Sequence, residues 1–138
     1  MLSSIEEYSQ AIYAFLDNAP QVRRHTLRIY PRGARLGVME GTVEFDHGMV
    51  LRVFERLDFA RQRILVYSYE IWQGQQQLIW YDPQEHPNDA SLAASFPHHK
   101  HVPPDIKHHR VPAPEISFTY PNLPALIKQV TLLLSASG

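Results

Sequence analysis

The chain has 138 residues and a mass of 15.9 kDa, the size of one ordinary domain able to bury a core without staples. Thirteen Lys and Arg against fourteen Asp and Glu leave a formal charge of −1, which argues against a protein that coats nucleic acid by charge alone. Cysteine is absent, so disulfides, Cys-ligated zinc, iron–sulfur clusters and thiol nucleophiles are excluded.

The N-terminal segment predicts a helix over residues 3–18. Ser3 or Ser4 can cap it, Glu6 and Glu7 face the positive end of its dipole, and Pro20 closes it. Ile5, Tyr8, Ile12, Phe15 and Leu16 fall on one apolar stripe. From residue 22 to 82 the period changes to two, predicting an antiparallel sheet. Val22–Tyr30 and Arg35–Phe45 are the first extended stretches, the second broken by Gly37 and Gly41. Asp46-His47-Gly48 is a hairpin signal. Met49–Leu57 then alternates, with Met49, Leu51, Val53, Glu55 and Leu57 on the face that composition marks as core. Arg63–Trp72 is the most β-like run, and Gln73-Gly74 turns it into Gln75–Tyr81.

Residues 83–115 differ in kind. Seven of the eleven prolines and six of the eight histidines (His86, His98, His99, His101, His108 and His109) fall there, which predicts a long irregular loop of the sort that commonly carries function. Ile116–Tyr120 is a candidate last strand. Asn122 is a candidate cap for a closing helix over residues 123–135, whose apolar face is Leu126, Ile127, Val130, Leu133 and Leu134. The expected architecture is a single α+β domain spanning 1–138, an antiparallel meander of about five to six strands flanked by an N-terminal and a C-terminal helix. Met1–Glu7 shows no basic and apolar leader pattern, and no run approaches the ~18 apolar residues of a membrane span. A cytoplasmic protein without a membrane partner is expected.

Chemistry concentrates in Ser95-Phe96-Pro97-His98-His99-Lys100-His101-Val102. Three imidazoles and an ammonium so close together can bind a transition metal, bind phosphate, or move protons near neutral pH. Adjacent residues diverge in an extended chain, so His98 and His99 cannot share an ion, whereas His99 and His101 could if locally strand-like. Loop histidines that merely hold the segment by hydrogen bonds are the plain alternative. Tyr67 and Tyr69 share one face of their strand, either as packing or as a hydroxyl beside the histidine loop. The arginines scattered through the strands, with the aromatic residues, suit stacking and phosphate contact with single-stranded RNA; a solvated face is the alternative.

The hairpin Asp46-His47-Gly48, then Tyr67-Ser68-Tyr69, Leu78-Ile79-Trp80-Tyr81-Asp82 and Phe96-Pro97-His98-His99-Lys100-His101-Val102 together resemble the TumE-like toxins of bacterial and archaeal toxin–antitoxin modules, over roughly residues 38 to 135. The chain departs from that pattern at Glu70, where a histidine is common, and at Pro83-Gln84-Glu85-His86, where Asn and a Pro-His-His run usually follow the aspartate. The resemblance implies a toxin paired with an antitoxin bearing a helix-turn-helix domain, with RNA as the candidate target. A homodimer is left open. The corresponding mechanism is a ribonuclease with no metal or other cofactor: His98, His99 and His101 share the acid and base roles, Lys100 stabilises charge on the phosphate, and Tyr69 and Asp82 orient them. A non-catalytic RNA- or protein-binding module and a metal-dependent hydrolase with histidine ligands are the alternatives.

Overall fold

The computed structural model describes residues 1–137. Helix α1 (Ile5–Asp17) begins where Ser4 accepts a hydrogen bond from the Glu7 N–H at 3.1 Å, and the neighbouring Ser3 hydroxyl also bonds the Glu7 carboxylate. Tyr8, Ile12 and Leu16 are its buried residues, so the apolar stripe is the docking face. The sheet follows as β1 (Arg24–His25), β2 (Arg28–Pro31), β3 (Leu36–Glu44), β4 (Met49–Asp58), β5 (Arg63–Gln73), β6 (Gln76–Asp82), β7 (His99–His101) and β8 (Arg110–Pro112), and α2 (Leu123–Ser137) closes the chain. All pairings are antiparallel in the order β1-β3-β4-β5-β6-β7-β8, with β2 also paired to β3. Among the described residues no helix is long and apolar enough to cross a membrane.

The α+β architecture is the one expected, with more strands. The stretch read as one strand from Val22 to Tyr30 is two, because its ladder with β3 is interrupted at Thr26 and Leu27. Gly41 on β3 faces that interruption at φ +143°, and a Cβ there would sit 2.6 Å from the Thr26 carbonyl oxygen, so only glycine fits. The segment 83–115 read as irregular contributes β7 and β8. Ile116–Tyr120 forms no strand, although the Phe118 carbonyl accepts the Ile64 N–H at 2.7 Å. Asn122 starts α2 through its backbone carbonyl, which accepts from the Leu126 N–H at 3.0 Å. Its side chain is committed elsewhere: it accepts from the Ser117 N–H and donates to the Ser117 carbonyl and the Tyr69 hydroxyl.

Alternation along β4 buries Met49, Leu51, Val53, Glu55 and Leu57, and both helices pack on this face. The opposite face carries Arg52, Phe54 and Arg56 on β4, and Trp72 and Trp80 on the neighbouring strands, all exposed or half-buried. Glu55 lies fully buried at the centre of the helix-covered face. Its carboxyl accepts the Tyr8 hydroxyl at 2.6 Å and the Tyr69 hydroxyl at 2.5 Å, and Asn122 donates to the Tyr69 oxygen at 2.9 Å. One acidic group therefore joins α1, β4, β5 and the start of α2. Burial raises its pKa to about 7 and outweighs the two tyrosine bonds, which favour the charged form.

This makes stability pH-dependent. Between the ordinary 4.5 and about 7 the folded chain holds a proton on Glu55 that the unfolded chain has lost. The contribution is complete below 4.5 and disappears as pH rises through 7. Urea unfolding from pH 4.5 to 8 should show wild type losing roughly 3 kcal/mol relative to Glu55→Gln. Parallel curves for the two proteins would contradict the assignment.

Candidate active site

The histidine string forms strand β7, and strand geometry divides it. His99 and His101 stand on the sheet face away from the helices, in register with Asp82 and Trp80 of β6; Lys100 between them points to the helix-covered face opposite Tyr81. On the other side β8 pairs Arg110 with His101 and Pro112 with His99. A cross-strand neighbourhood of Trp80, Asp82, His99, His101 and Arg110 results. The chain between β6 and β7 returns over it: a short 3-10 turn (Ala90–Ser95) packs against β8, and the His86 ring stands edge-on to His99 at 5.0 Å between centroids.

Asp82 is held between the two imidazoles. The His101 Nε2–H donates to Asp82 Oδ2 at 2.9 Å, and His99 Nε2 lies 3.2 Å from Oδ1, in ion-pair range but without the direction of a hydrogen bond. His99 and His101 are 1% and 3% exposed. The Asp82 carboxylate also accepts the Gln84 N–H at 2.8 Å. Burial works against its charge, but the His99 contact, the Gln84 N–H and His101 hold its pKa below the ordinary value. His99 is the mirror case: burial opposes its charge, yet Asp82 and the Pro97 carbonyl, which accepts from Nδ1 at 3.1 Å, raise its pKa. His86 is shifted down by burial and by the charges of Arg110 and His99. The ring of His101 stacks on Trp80 with centroids 4.4 Å apart, and Trp80 is fixed by its Nε1–H to the Ser68 hydroxyl at 3.3 Å.

The six residues singled out from the sequence separate into four places. Asp82, His99 and His101 come together. His98 instead bonds the Tyr67 hydroxyl through Nδ1 at 2.6 Å and packs on Phe118, with burial and the His99 charge lowering its pKa. Lys100 reaches Glu115 at 3.4 Å and sits over the Tyr81 ring. Tyr69 is fully buried on Glu55, stacked on Tyr67 with centroids 4.8 Å apart. Thus Tyr67, rather than Tyr69, touches the histidine segment. Arg110 and Trp80 belong to the neighbourhood without having been singled out for it. Trp80 was legible as the residue two before Asp82 on one strand; Arg110 gave no signal, because β8 has no readable periodicity.

The division has an energetic consequence. Asp82→Asn and His101→Gln share one buried, charge-assisted bond and should couple by about 1–3 kcal/mol in a double-mutant cycle. Asp82→Asn and His98→Ala share no partner and should add to within about 0.5 kcal/mol. Equal coupling in both cycles, read by chemical denaturation, would mean that the imidazoles act as one cluster.

With the geometry in hand, the likeness to known proteins takes its weight from one comparison. Nothing matches among the curated proteins or among the solved structures. A family model described as toxin TumE matches residues 12–134, which takes in the end of α1, every strand and most of α2. The chain belongs to the toxin TumE family.

Proposed function

We propose that this member of a toxin family acts as a metal-independent ribonuclease whose chemical centre is Asp82, His99 and His101, with His86 beside it. The reading rests on one observation, the Asp82 carboxylate held between two buried imidazoles against which a third is packed. Cleavage of RNA without a metal needs two proton transfers. One imidazole takes the 2′-hydroxyl proton as that oxygen attacks phosphorus; the P–O5′ bond breaks, and a second imidazole gives its proton to the leaving oxygen. A 2′,3′-cyclic phosphate and a 5′-hydroxyl remain. Asp82 orients both rings and stabilises the imidazolium. Arg110, cross-strand from His101, takes the charge-stabilising role on the phosphate, since Lys100 faces the other side and is engaged by Glu115. The exposed Arg52 and Arg56, with Trp72 and Trp80, supply a face for the strand. The expected partner is a cognate antitoxin with a helix-turn-helix domain, and the expected place of action is the cytoplasm.

The test is incubation of purified protein with single-stranded RNA in EDTA. Cleavage should leave cyclic phosphate ends and spare DNA of the same sequence, which lacks the attacking hydroxyl. His99→Ala and His101→Ala should each lower the rate by about a hundredfold or more, and His98→Ala and Lys100→Ala should leave it within a few fold. Intact RNA with the wild-type protein, or full cleavage by both disabling variants, refutes the reading.

A further inference from the structure

We infer that Asp82, His99 and His101 form a binding site for one divalent first-row transition ion, and that its occupation silences the chain's chemistry on RNA. The second half rests on the ribonuclease reading; the first does not. One ring nitrogen of each histidine and a carboxylate oxygen of Asp82 all lie within 4.8 Å of one another, and all three side chains are buried. Ligation by His101 through Nε2 shifts its proton to Nδ1, which has no hydrogen-bond partner among the described residues. A zinc-like ion holds imidazole nitrogen at about 2.0–2.1 Å, which sets neighbouring ligands about 3.3 Å apart in a tetrahedron. His99 Nε2 lies 3.2 Å from Oδ1 and His101 Nε2 2.9 Å from Oδ2, so each nitrogen–oxygen pair is near the spacing of two ligands on one ion.

The stronger argument concerns His99. The Pro97 carbonyl can only accept, so the proton on this ring belongs to Nδ1. In the neutral ring Nε2 then turns a lone pair toward a carboxylate oxygen, and it has no hydrogen-bond partner among the described residues. Two electron-rich atoms facing each other in a buried place need a positive charge between them. A proton on Nε2, which the Asp82 charge favours, supplies it, although without the direction of a hydrogen bond. A cation bound to both atoms supplies it well. A ligating histidine whose other nitrogen donates to a backbone carbonyl is also the arrangement that orients metal ligands. Two histidines and one carboxylate suit zinc, iron, cobalt or nickel and do not suit magnesium, which takes oxygen ligands. An ion seated there takes the imidazole lone pairs that proton transfer requires.

The experiment takes the full chain, stripped with EDTA and dialysed, and titrates it with Zn²⁺ and separately with Mg²⁺ by calorimetry; Co²⁺ is added to a parallel sample for its visible spectrum. One Zn²⁺ per chain should bind and raise the melting temperature, Mg²⁺ should not bind, and Co²⁺ should give the intense bands of a four- or five-coordinate site. His99→Ala and Asp82→Ala should weaken Zn²⁺ binding at least tenfold, and His98→Ala should not. The cobalt spectrum of the wild type decides the matter even where a variant fails to fold. Absence of stoichiometric binding, or binding unchanged in both ligand variants, overturns the site. RNA cleavage should fall with the same midpoint as Zn²⁺ binding. Binding with undiminished cleavage overturns the silencing alone; cleavage that appears only with the ion keeps the site and overturns the metal-independent mechanism. Binding by a protein that cleaves no RNA at any ion level keeps the site and overturns the ribonuclease.

Discussion

The alternation of side chains along three residues of β7 is the constraint on which the site depends. A His-Lys-His string in an extended strand must send its lysine to one face and its histidines to the other. Pairing with β6 then sets His99 opposite Asp82 and His101 opposite Trp80, so one carboxylate meets two imidazoles. His98, one residue before the strand, bonds Tyr67 on the helix-covered side. A string that reads as one cluster becomes a site and a structural anchor.

Each face of the sheet carries a buried carboxyl group, and their surroundings push them in opposite directions. Glu55 meets two tyrosine hydroxyls, which are neutral, and burial prevails, so its pKa rises to about 7. Asp82 meets imidazoles able to carry charge, and its pKa falls. The first arrangement ties both helices to the sheet and involves no exposed group. The second lies buried under a single excursion of the chain, beside the half-buried His86 and the aromatic face. The two buried carboxyl groups are thereby kept on different faces, with Tyr67 and Tyr69 on the face of Glu55.

Much of this was legible before any coordinates. The stripe on α1, the alternation of β4 with Glu55 on its core face and the closing helix all follow from periodicity, because each element is long enough to show its period. By contrast, β3 runs unbroken through Gly37 and Gly41 against the break expected there. The resemblance carried by residues 38 to 135 agrees with a family match that also reaches back into the end of α1. What periodicity could not give is β7 and β8, each three residues long and set among prolines. Such strands exist through pairing with β6, a long-range interaction that no local pattern records. Their absence from the reading is why Arg110 went unnoticed and why Lys100 was grouped with the histidines. Tyr69 and Asn122 show the same limit from the other direction: a strand tyrosine and a helix-start asparagine were legible as such, but their bond to each other joins residues 53 apart in sequence.

The account stands most directly on the claim that Asp82 governs His99 and His101 and leaves His98 alone. Side-chain nitrogen NMR of the imidazoles, followed against pH in EDTA for wild type and Asp82→Asn, measures this claim ring by ring. The substitution should lower the pKa of His99 and shift the resonances of His101, while His98, bonded to Tyr67 and depressed by the His99 charge, should not fall with them. Movement of all three rings together, or a His99 indifferent to the loss of the carboxylate charge, would contradict it.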